Sequence, residues 1–289
     1  MKTYLDCYAC FIRQALDGAR FAGADEAQQQ TIIKKTLQAM LTFDPACTPP
    51  ELASQIQHLV HQETGDPNPY RKAKESSTKE ALDLYSELKT RIANASDPLD
   101  CAIRVSIAGN IIDLGALATY NLWETIERVL SQPFAIDDKT AFYDKLAHCR
   151  QILYLADNAG ETVFDRLLIE RLPAPVTYAV KAAAMLNDAT IEDAEAAGLH
   201  TAATLVSTGA DALGTPLQQC SPAFRTRYEE ADLIIAKGQA NYETLSPGDN
   251  RIFFLLQVKC PIIARDAGAP TGSIILKQGN TSPTAKTSK

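Results

Sequence analysis

The sequence has little of what membrane proteins and nucleic-acid-binding proteins need. Its 289 residues contain no uninterrupted apolar run of membrane-spanning length, and the amino terminus lacks the charged start, apolar core and small-residue cleavage site of a signal peptide. Lysine and arginine are not clustered, and the formal net charge is −7. Because binding to a phosphate backbone depends on clustered basic residues, nucleic acid is excluded as the main partner. We therefore expect a cytoplasmic protein that binds neither membrane nor nucleic acid, and none of these features predicts an oligomeric state.

Histidine is scarce, and the four histidines show no arrangement typical of a catalytic triad. The sequence also lacks G-x-S-x-G and Walker motifs. Its seven cysteines are an odd number scattered along the chain, which does not fit a secreted disulfide scaffold. Cys7 and Cys10 form a C-x-x-C pair on a predicted helix, where they share one face. Without a second such pair they indicate structural thiols rather than zinc ligands, and a redox role that includes Cys260 is the alternative.

The hydrophobic and charged fractions, 46% and 22%, are those of an ordinary soluble globular protein. Helical spacing of apolar residues predicts helices in segments 7–20, 25–41, 49–60, 72–92, 99–108, 122–130 and 139–149. From residue 152 onward, short apolar runs alternate with helical stretches, which indicates βαβ units and a mostly parallel sheet. These runs are 152–156, 176–180, 204–206, 232–236 and 252–258.

The predicted fold class is therefore α/β, with an all-helical domain over residues 1–95 and an α/β core over residues 96–271. The helical segments between residues 96 and 150 leave the boundary between the two poorly fixed. Residues 272–289 are expected to form a disordered tail, because the SPTAKTSK end is too polar to pack.

The stretch 151–165 is the first candidate site. Its apolar run ends at the segment Asp157-Asn158-Ala159-Gly160-Glu161, and apolar residues at helical spacing follow. Ligands of open α/β sheets bind at the carboxyl ends of strands, beside helix amino termini. Because Asp157 would repel a phosphate there, it indicates a cation that mediates between the carboxylate and an anionic ligand. The alternative interpretation is that Asp157 or Asn158 caps the following helix and that Gly160 eases the turn.

A second acidic segment, from Asn187 to Asp193, follows the run 176–180 and opens a short helix. Its carboxylates are placed to face the same cleft as Asp157. Carboxylate and amide oxygens suit a hard cation such as Mg²⁺ or Mn²⁺, and the shortage of histidine argues against zinc. Capping is again the alternative, with Asp188 or Thr190 as the N-cap and Asp193 as a first-turn acid.

A third candidate is Lys237, which leaves an apolar strand directly into Gly238. Glycine lets a backbone N–H approach a ligand closely, and the ammonium group supplies a point charge, so this pair is typical of a phosphate-binding site. A surface turn is the alternative interpretation. Residues 108–110 and Asp113 would line the cleft from the helical side, or would simply break a helix.

Several ordered motifs together resemble the DUF89 family, also called the damage-control phosphatase or ARMT1-like family. The resemblance spans Cys7 to Gly268 and is closest to the prokaryotic branch with an amino-terminal C-x-x-C. The motifs are CYAC (7–10), DPNPYRKAK (66–74), AGNIIDLG (108–115), DNAGETVFD (157–165), NDATIEDA (187–194), KGQANYETL (237–245) and LLQVKCPIIARDAG (255–268).

This resemblance implies a helical amino-terminal part on a Rossmann-like core. It also implies metal-dependent phosphatase activity on small phosphorylated metabolites, such as sugar phosphates, nucleotides or phosphopantetheine derivatives, supported by Mn²⁺, Co²⁺, Ni²⁺ or Mg²⁺. The family's metal ligands fall on Asp157, Asn158 and Asp193, and Asp188 is the close competitor for the third place.

The resemblance further implies that Lys237 binds the substrate phosphate, so that Asp157, Asn158 and Lys237 are the predicted catalytic residues. The expected substrate-binding residues, besides Lys237, are Asn187, Asp188, Asn241, Glu243 and the backbone at Gly160. Ala240 and Tyr242 stand where the family pattern has Gly and Phe, and the polar positions are intact.

Two other functions remain open at this point. The first is an S-adenosylmethionine-dependent carboxyl methyltransferase, since eukaryotic relatives have been proposed to methylate protein carboxylates, although no glycine-rich G-x-G-x-G loop follows the first predicted strand. The second is a non-enzymatic metabolite or thiol sensor, with Cys7 and Cys10 as its switch.

Overall fold

The computed structural model describes residues 1–110, 122–246 and 248–280. Asp113 and the rest of the predicted cleft segment beyond Asn110 lie outside the described residues. The helices are α1 (Leu5–Phe21), α2 (Glu26–Met40), α3 (Pro49–Thr64), α4 (Arg71–Ala93), α5 (Pro98–Gly109), α6 (Leu122–Ser131), α7 (Lys139–His148), α8 (Thr162–Ile169), α9 (Ile191–Ala196), α10 (Pro222–Glu230), α11 (Gly238–Leu245) and α12 (Pro261–Ala267). The strands are β1 (Phe134–Asp137), β2 (Ile152–Leu155), β3 (Val176–Val180), β4 (Thr204–Ser207), β5 (Leu233–Lys237), β6 (Ile252–Gln257) and β7 (Ile274–Gln278).

One sheet runs through the described part of the chain, in the order β1-β7-β6-β5-β2-β3-β4. Every pair is parallel except β6 with β7. Leu155, the last residue of β2, is level with Ala179 of β3 and Ala236 of β5. The loops that follow these three strands therefore leave from one edge of the sheet, where ligands of α/β proteins bind. The predicted α/β fold with a mostly parallel sheet is confirmed.

The helices begin and end where local signals place them. The Asp25 carboxylate accepts a hydrogen bond from the backbone N–H of Gln28 at 2.8 Å, which caps α2. Pro49 occupies the first turn of α3, and Gly65 ends that helix in the left-handed conformation. All seven helices predicted before residue 150 are confirmed. Among the described residues, no helix combines the length and apolarity that a membrane span requires.

Two strands of the described part of the chain were not predicted. β1 lies between helices α6 and α7, and only alternate residues of its four are half-buried, so its apolar signal is weak. β7 lies inside the expected disordered tail, where it pairs with both β1 and β6. The prediction of disorder is therefore wrong for residues 274–278: the three apolar residues from Ile274 are fully buried, and the sheet satisfies their backbone. Residues 281–289 lie outside the described residues.

The amino-terminal helices pack in two different places. Leu88 and Ile92 of α4 belong to the core on one face of the sheet, together with α5 and α8. Helices α1 to α3 form a core of their own, which also takes in Met185, Leu213 and Ile262. These three residues follow β3, β4 and β6, so α1 to α3 cover the carboxyl edge of the sheet. A domain boundary at residue 95 stays a prediction.

Candidate active site

The two acidic loops that follow β2 and β3 lie side by side. Asn158 and Asp188 form an isolated antiparallel bridge, and the backbone N–H of Ala189 donates to the carbonyl oxygen of Asp157 at 2.8 Å. Asp157, Asn158, Asn187 and Asp188 are all buried, each less than 10% exposed. The structure thus brings together four of the side chains that the sequence placed in one cleft.

The Asp157 carboxylate accepts hydrogen bonds from two side-chain amides and lies against the backbone of Gly238. Its Oδ2 accepts hydrogen bonds from Nδ2 of Asn110 at 2.6 Å and of Asn158 at 3.0 Å. Gly238, the first residue of α11, has φ +75°, and a Cβ added there would lie only 1.9 Å from Oδ2 of Asp157. The carboxylate therefore sits against the amino end of α11, where the helix dipole favours negative charge.

Gly238→Ala tests this close approach. The new methyl group would displace the Asp157 carboxylate, in addition to the cost of about 1–2 kcal/mol for a left-handed non-glycine residue. We expect a lower melting temperature together with loss of any Mn²⁺-induced thermal shift. Gly23→Ala is the matched control, because Gly23 also has φ +75° but nothing within 4 Å of its added Cβ. If both variants behave alike, the contact with Asp157 has no consequence.

Lys237 lies beneath these loops and not in the cleft. Its side chain is fully buried, and Nζ donates to the carbonyl oxygen of Ser106 at 3.0 Å, to Asp165 Oδ1 at 2.6 Å and to Glu161 Oε1. An ammonium group has three protons, so all of them are used. A phosphoryl oxygen would have to replace one of these three acceptors. The phosphate-binding role predicted for Lys237 stays a prediction.

Asp165 is the centre of this buried network. Besides Lys237, it accepts hydrogen bonds from Ser106 Oγ at 2.8 Å and from the hydroxyl groups of Tyr154 at 2.7 Å and Tyr178 at 2.8 Å. Burial and the adjacent Asp165 charge raise the pKa of both tyrosines well above the usual range. The tyrosines therefore stay protonated and donate to the carboxylate.

Glu161 connects the network to Asp157. Its Oε2 accepts a hydrogen bond from Nδ2 of Asn110 at 2.9 Å, which is the amide that also donates to Asp157. Burial raises the pKa of Glu161 to about 7, Lys237 opposes this shift, and the neighbouring Asp165 and Asp157 add to it. Glu161 and Asp165 share the one ammonium group of Lys237, and the Asn110 amide links Glu161 to Asp157. When ionised, these three carboxylates carry a surplus of buried negative charge, which a bound cation would offset.

Asp193 is engaged elsewhere. Its Oδ2 accepts from the backbone N–H of Thr190 at 2.8 Å, which closes a capping box at α9, and lies 2.5 Å from Nζ of Lys74. The capping interpretation thus describes its contacts. Asp188, in contrast, sits on the bridge to the first loop, with Oδ2 at 3.6 Å from Nζ of Lys181.

Two other predicted substrate ligands have packing roles. Asn241 is fully buried, where Nδ2 donates to the carbonyl oxygen of Ala156 at 3.1 Å and Oδ1 accepts from Thr215 at 2.7 Å. It therefore ties α11 to the end of β2. Gly160 faces α4, and a Cβ added to it would lie 2.7 Å from Cβ of Ser77. A glycine is needed there because α4 packs directly on the loop.

A cavity of about 350 Å³ opens above Asp157 and Asn158, between the loops and helices α1 and α3. Glu243 lines it, and burial raises the pKa of this carboxyl to about 8, an effect that the amino terminus opposes and Asp157 reinforces. Within the described part of the chain, Lys237, Asp188 and Asp193 are not among its lining residues. The other lining residues are Cys7, Cys10, Phe11, Gln14, Asp17, Pro49, Pro50, Ala53, Tyr70, Leu186, Asn187, Leu213, Gln239, Ala240, Lys259 and Cys260.

A family profile described as the damage-control phosphatase ARMT1-like domain matches residues 3–275. The chain belongs to this family. A damage-control phosphatase of Pyrococcus horikoshii is 32% identical over 282 residues, which cover 95% of this chain and 97% of the relative. A damage-control phosphatase of Archaeoglobus fulgidus is 31% identical over 287 residues, which cover 96% and 99%. The crystal structure of a DUF89 family protein from P. horikoshii superposes with a TM-score of 0.89 at 30% identity, and covers 97% of this chain and all of that one.

The resemblance inferred from the ordered motifs is thereby confirmed. Sequence reasoning nevertheless missed several residues of this family member's site. Glu161 and Asp165 both belong to the DNAGETVFD motif, but each reads as an ordinary helix-start acid. Lys74 and Lys181 each lie 3% exposed beside a carboxylate of the second loop. Their only sequence signal is a lysine within a motif or at a strand end.

Proposed function

We propose that the chain is a metal-dependent phosphatase that hydrolyses small phosphorylated metabolites. Its family membership and the names of its relatives support phosphatase activity. The observation that carries the proposal is the bridge between Asn158 and Asp188, which places two acidic loops together at the floor of a cavity of metabolite size.

Asp157, Asn158 and Asp188 are the proposed metal ligands, with Asp188 in place of Asp193. Two carboxylates and an amide oxygen form a hard donor set, which suits Mn²⁺ or Mg²⁺. Among the described residues, no three His, Cys, Asp or Glu side chains converge on one point, so the amide oxygen and water would have to complete the shell. The surplus of buried negative charge around Glu161 also fits a cation at this position.

A divalent cation held there supplies charge stabilisation at the phosphoryl oxygens. The protein's own contribution is positioning. Asn110 and the backbone at Gly238 fix the Asp157 carboxylate, and Lys237 fixes Glu161 from below. Helices α1 and α3 form a wall of the cavity beside the loops.

Two variants decide which aspartate completes the metal site. Asp188→Asn is expected to remove most of the Mn²⁺-induced thermal shift and to lower hydrolysis of p-nitrophenyl phosphate at least about 100-fold, because loss of a ligand costs more than loss of a supporting residue. Asp193→Asn is expected to keep the Mn²⁺ shift but to lower the metal-free melting temperature, since it weakens a helix cap and the ion pair with the buried Lys74. The reverse pattern would return the third place to Asp193.

The function itself is tested with the wild-type protein and a panel of phosphate esters in Mn²⁺, Co²⁺, Ni²⁺ or Mg²⁺. Metal-stimulated release of phosphate is expected, and no release from any ester with any of these metals would overturn the proposal. S-adenosylmethionine alone is expected to give no thermal shift. The thiol-sensor alternative is not favoured either, because Cys7 is buried and burial raises the pKa of its thiol, which disfavours the reactive thiolate form.

A further inference from the structure

The cavity wall formed by helices α1 and α3 combines apolar side chains with a neutral amide. Phe11 of α1 and Ala53 of α3 lie on this wall, and Gln14 of α1 also lines the cavity. Within the described part of the chain, the Oε1 atom of Gln14 is buried and has no hydrogen-bond partner. Because a buried carbonyl oxygen without a partner destabilises the folded state, a molecule that donates a hydrogen bond to it would be favoured in this cavity.

Gln57 has unpartnered amide atoms at the same end of the cavity. Its side chain is fully buried on α3, one turn after Ala53, and neither its Oε1 nor its Nε2 has a hydrogen-bond partner among the described residues. A Cβ added to Gly18, one turn after Gln14 on α1, would lie 3.4 Å from Oε1 of Gln57 and 3.4 Å from Oη of Tyr70. Tyr70 lines the cavity, so the Gln57 amide lies beside the cavity wall.

Gln57 is placed behind this wall, and Gln14 on it. The last torsion of a glutamine side chain has a broad energy minimum, and side chains at binding sites commonly change rotamer when a ligand binds. Rotation of the two amides toward the cavity would exchange unpartnered atoms for hydrogen bonds to a ligand.

The two amides define the chemistry of the group that they would bind. The Oε1 atoms of Gln14 and Gln57 need donors, and Nε2 of Gln57 needs an acceptor. Asp17, three residues after Gln14 on α1, also lines the cavity, and its carboxylate disfavours a second negative charge nearby. The complementary group is therefore neutral and both donates and accepts hydrogen bonds, as hydroxyl groups and amides do.

We propose that Gln14 and Gln57 form a specificity subsite for the part of the substrate beyond its phosphoryl group, and that they select a neutral hydroxyl- or amide-bearing group. This inference rests on the proposed phosphatase function. The phosphoryl group would lie at the Asp157 loop, Phe11 would pack on the carbon skeleton, and the two amides would bind the polar end.

Three esters test the proposal in Mn²⁺: ribose 5-phosphate, which offers hydroxyl groups, N-acetylglucosamine 6-phosphate, which adds an amide, and phenyl phosphate, which offers neither beyond the phosphoryl group. We expect the wild type to show a higher kcat/KM for at least one polar ester than for phenyl phosphate. Gln57→Met and Gln14→Met should each lower this preference about 3- to 10-fold, as for loss of one neutral hydrogen bond.

The melting temperature distinguishes a binding role from a structural one. Gln57→Met has a similar size and removes two unpartnered buried atoms, so the ligand-free protein should melt about 2–4 °C higher. Gln55→Met, at an exposed position of the same helix, is the matched control and should change neither the preference nor the melting temperature.

The outcomes separate this inference from the proposed function. If the wild type hydrolyses esters without preference for either polar one, or if both variants keep the wild-type preference, the inference is overturned. Equal losses for all three esters would show general damage to the site and would overturn it as well. If the wild type hydrolyses nothing, the proposed function fails, and ester-induced thermal stabilisation decides for the subsite. A larger shift with a polar ester than with phenyl phosphate, lost in Gln57→Met but not in Gln55→Met, supports it, and any other pattern refutes it.

Discussion

Asp157→Asn is expected to lower metal-stimulated hydrolysis at least about 100-fold while the fold is retained. The substitution keeps the size of the side chain and one acceptor oxygen for the amide donors of Asn110 and Asn158. What it removes is the negative charge beside the amino end of α11, which is the charge that would attract a divalent cation. The loss should therefore appear in metal affinity before it appears in stability.

The measurement is a Mn²⁺ titration of both hydrolysis and melting temperature. In the variant, the metal-free melting temperature should stay near or above that of the wild type, because the surplus of buried negative charge becomes smaller. The Mn²⁺-induced increase should disappear. Asp83→Asn, at an exposed residue of α4, is the control. Wild-type activity in Asp157→Asn would remove the central residue of the proposed site.

Much of the fold could be predicted from the spacing of apolar and polar residues in the sequence. The loop of Asp157 was predictable because a buried strand must end before a polar segment, and the carboxyl ends of parallel strands share an edge. That reasoning placed the loops of Asp157 and Asp188 at the same edge of the sheet, and the bridge between Asn158 and Asp188 shows that the two loops are adjacent. The edge strand β1 was not predicted, since it is only four residues long and its half-buried residues alternate with exposed ones, which is too short an alternation to recognise.

The direction of a side chain was harder to predict than the position of its loop. Lys237 is the last residue of β5. Side chains two residues apart on a strand point to the same face, so Lys237 shares a face of the sheet with Ile235 and Leu233. That face belongs to the core with Tyr154, whereas Ile234 belongs to the opposite one. A strand-end lysine thus points into the core layer beneath the loops. The face to which the Lys237 side chain points can be assigned only once the two faces of the sheet are known.

The third proposed metal ligand was also hard to identify from the sequence. Asp188 and Asp193 are five positions apart on one loop and helix start, and their residue types alone do not separate them. Tertiary contacts do: Lys74, on a helix more than a hundred residues earlier, occupies the Asp193 carboxylate, and the strand-like bridge brings Asp188 to Asn158. Long-range partners of this kind leave no periodic signal.

Lys237→Met should be among the most destabilising single substitutions in the chain, with a loss of about 3–5 kcal/mol in the free energy of unfolding. It would leave Glu161 and Asp165 buried without the ammonium that now pairs with both. Urea unfolding measures the loss, and Lys72→Met should show almost none, because it is an exposed position.

The same experiment separates the two roles considered for Lys237. A residue that only binds phosphate would raise KM and leave stability unchanged when it is replaced. A residue that holds two buried carboxylates would lose stability first, and adding Glu161→Gln should recover part of that loss because one uncompensated charge is then removed. Stability equal to the wild type with a raised KM would show that the Lys237 ammonium leaves its carboxylates for the substrate, and the structural role argued for Lys237 would then be wrong.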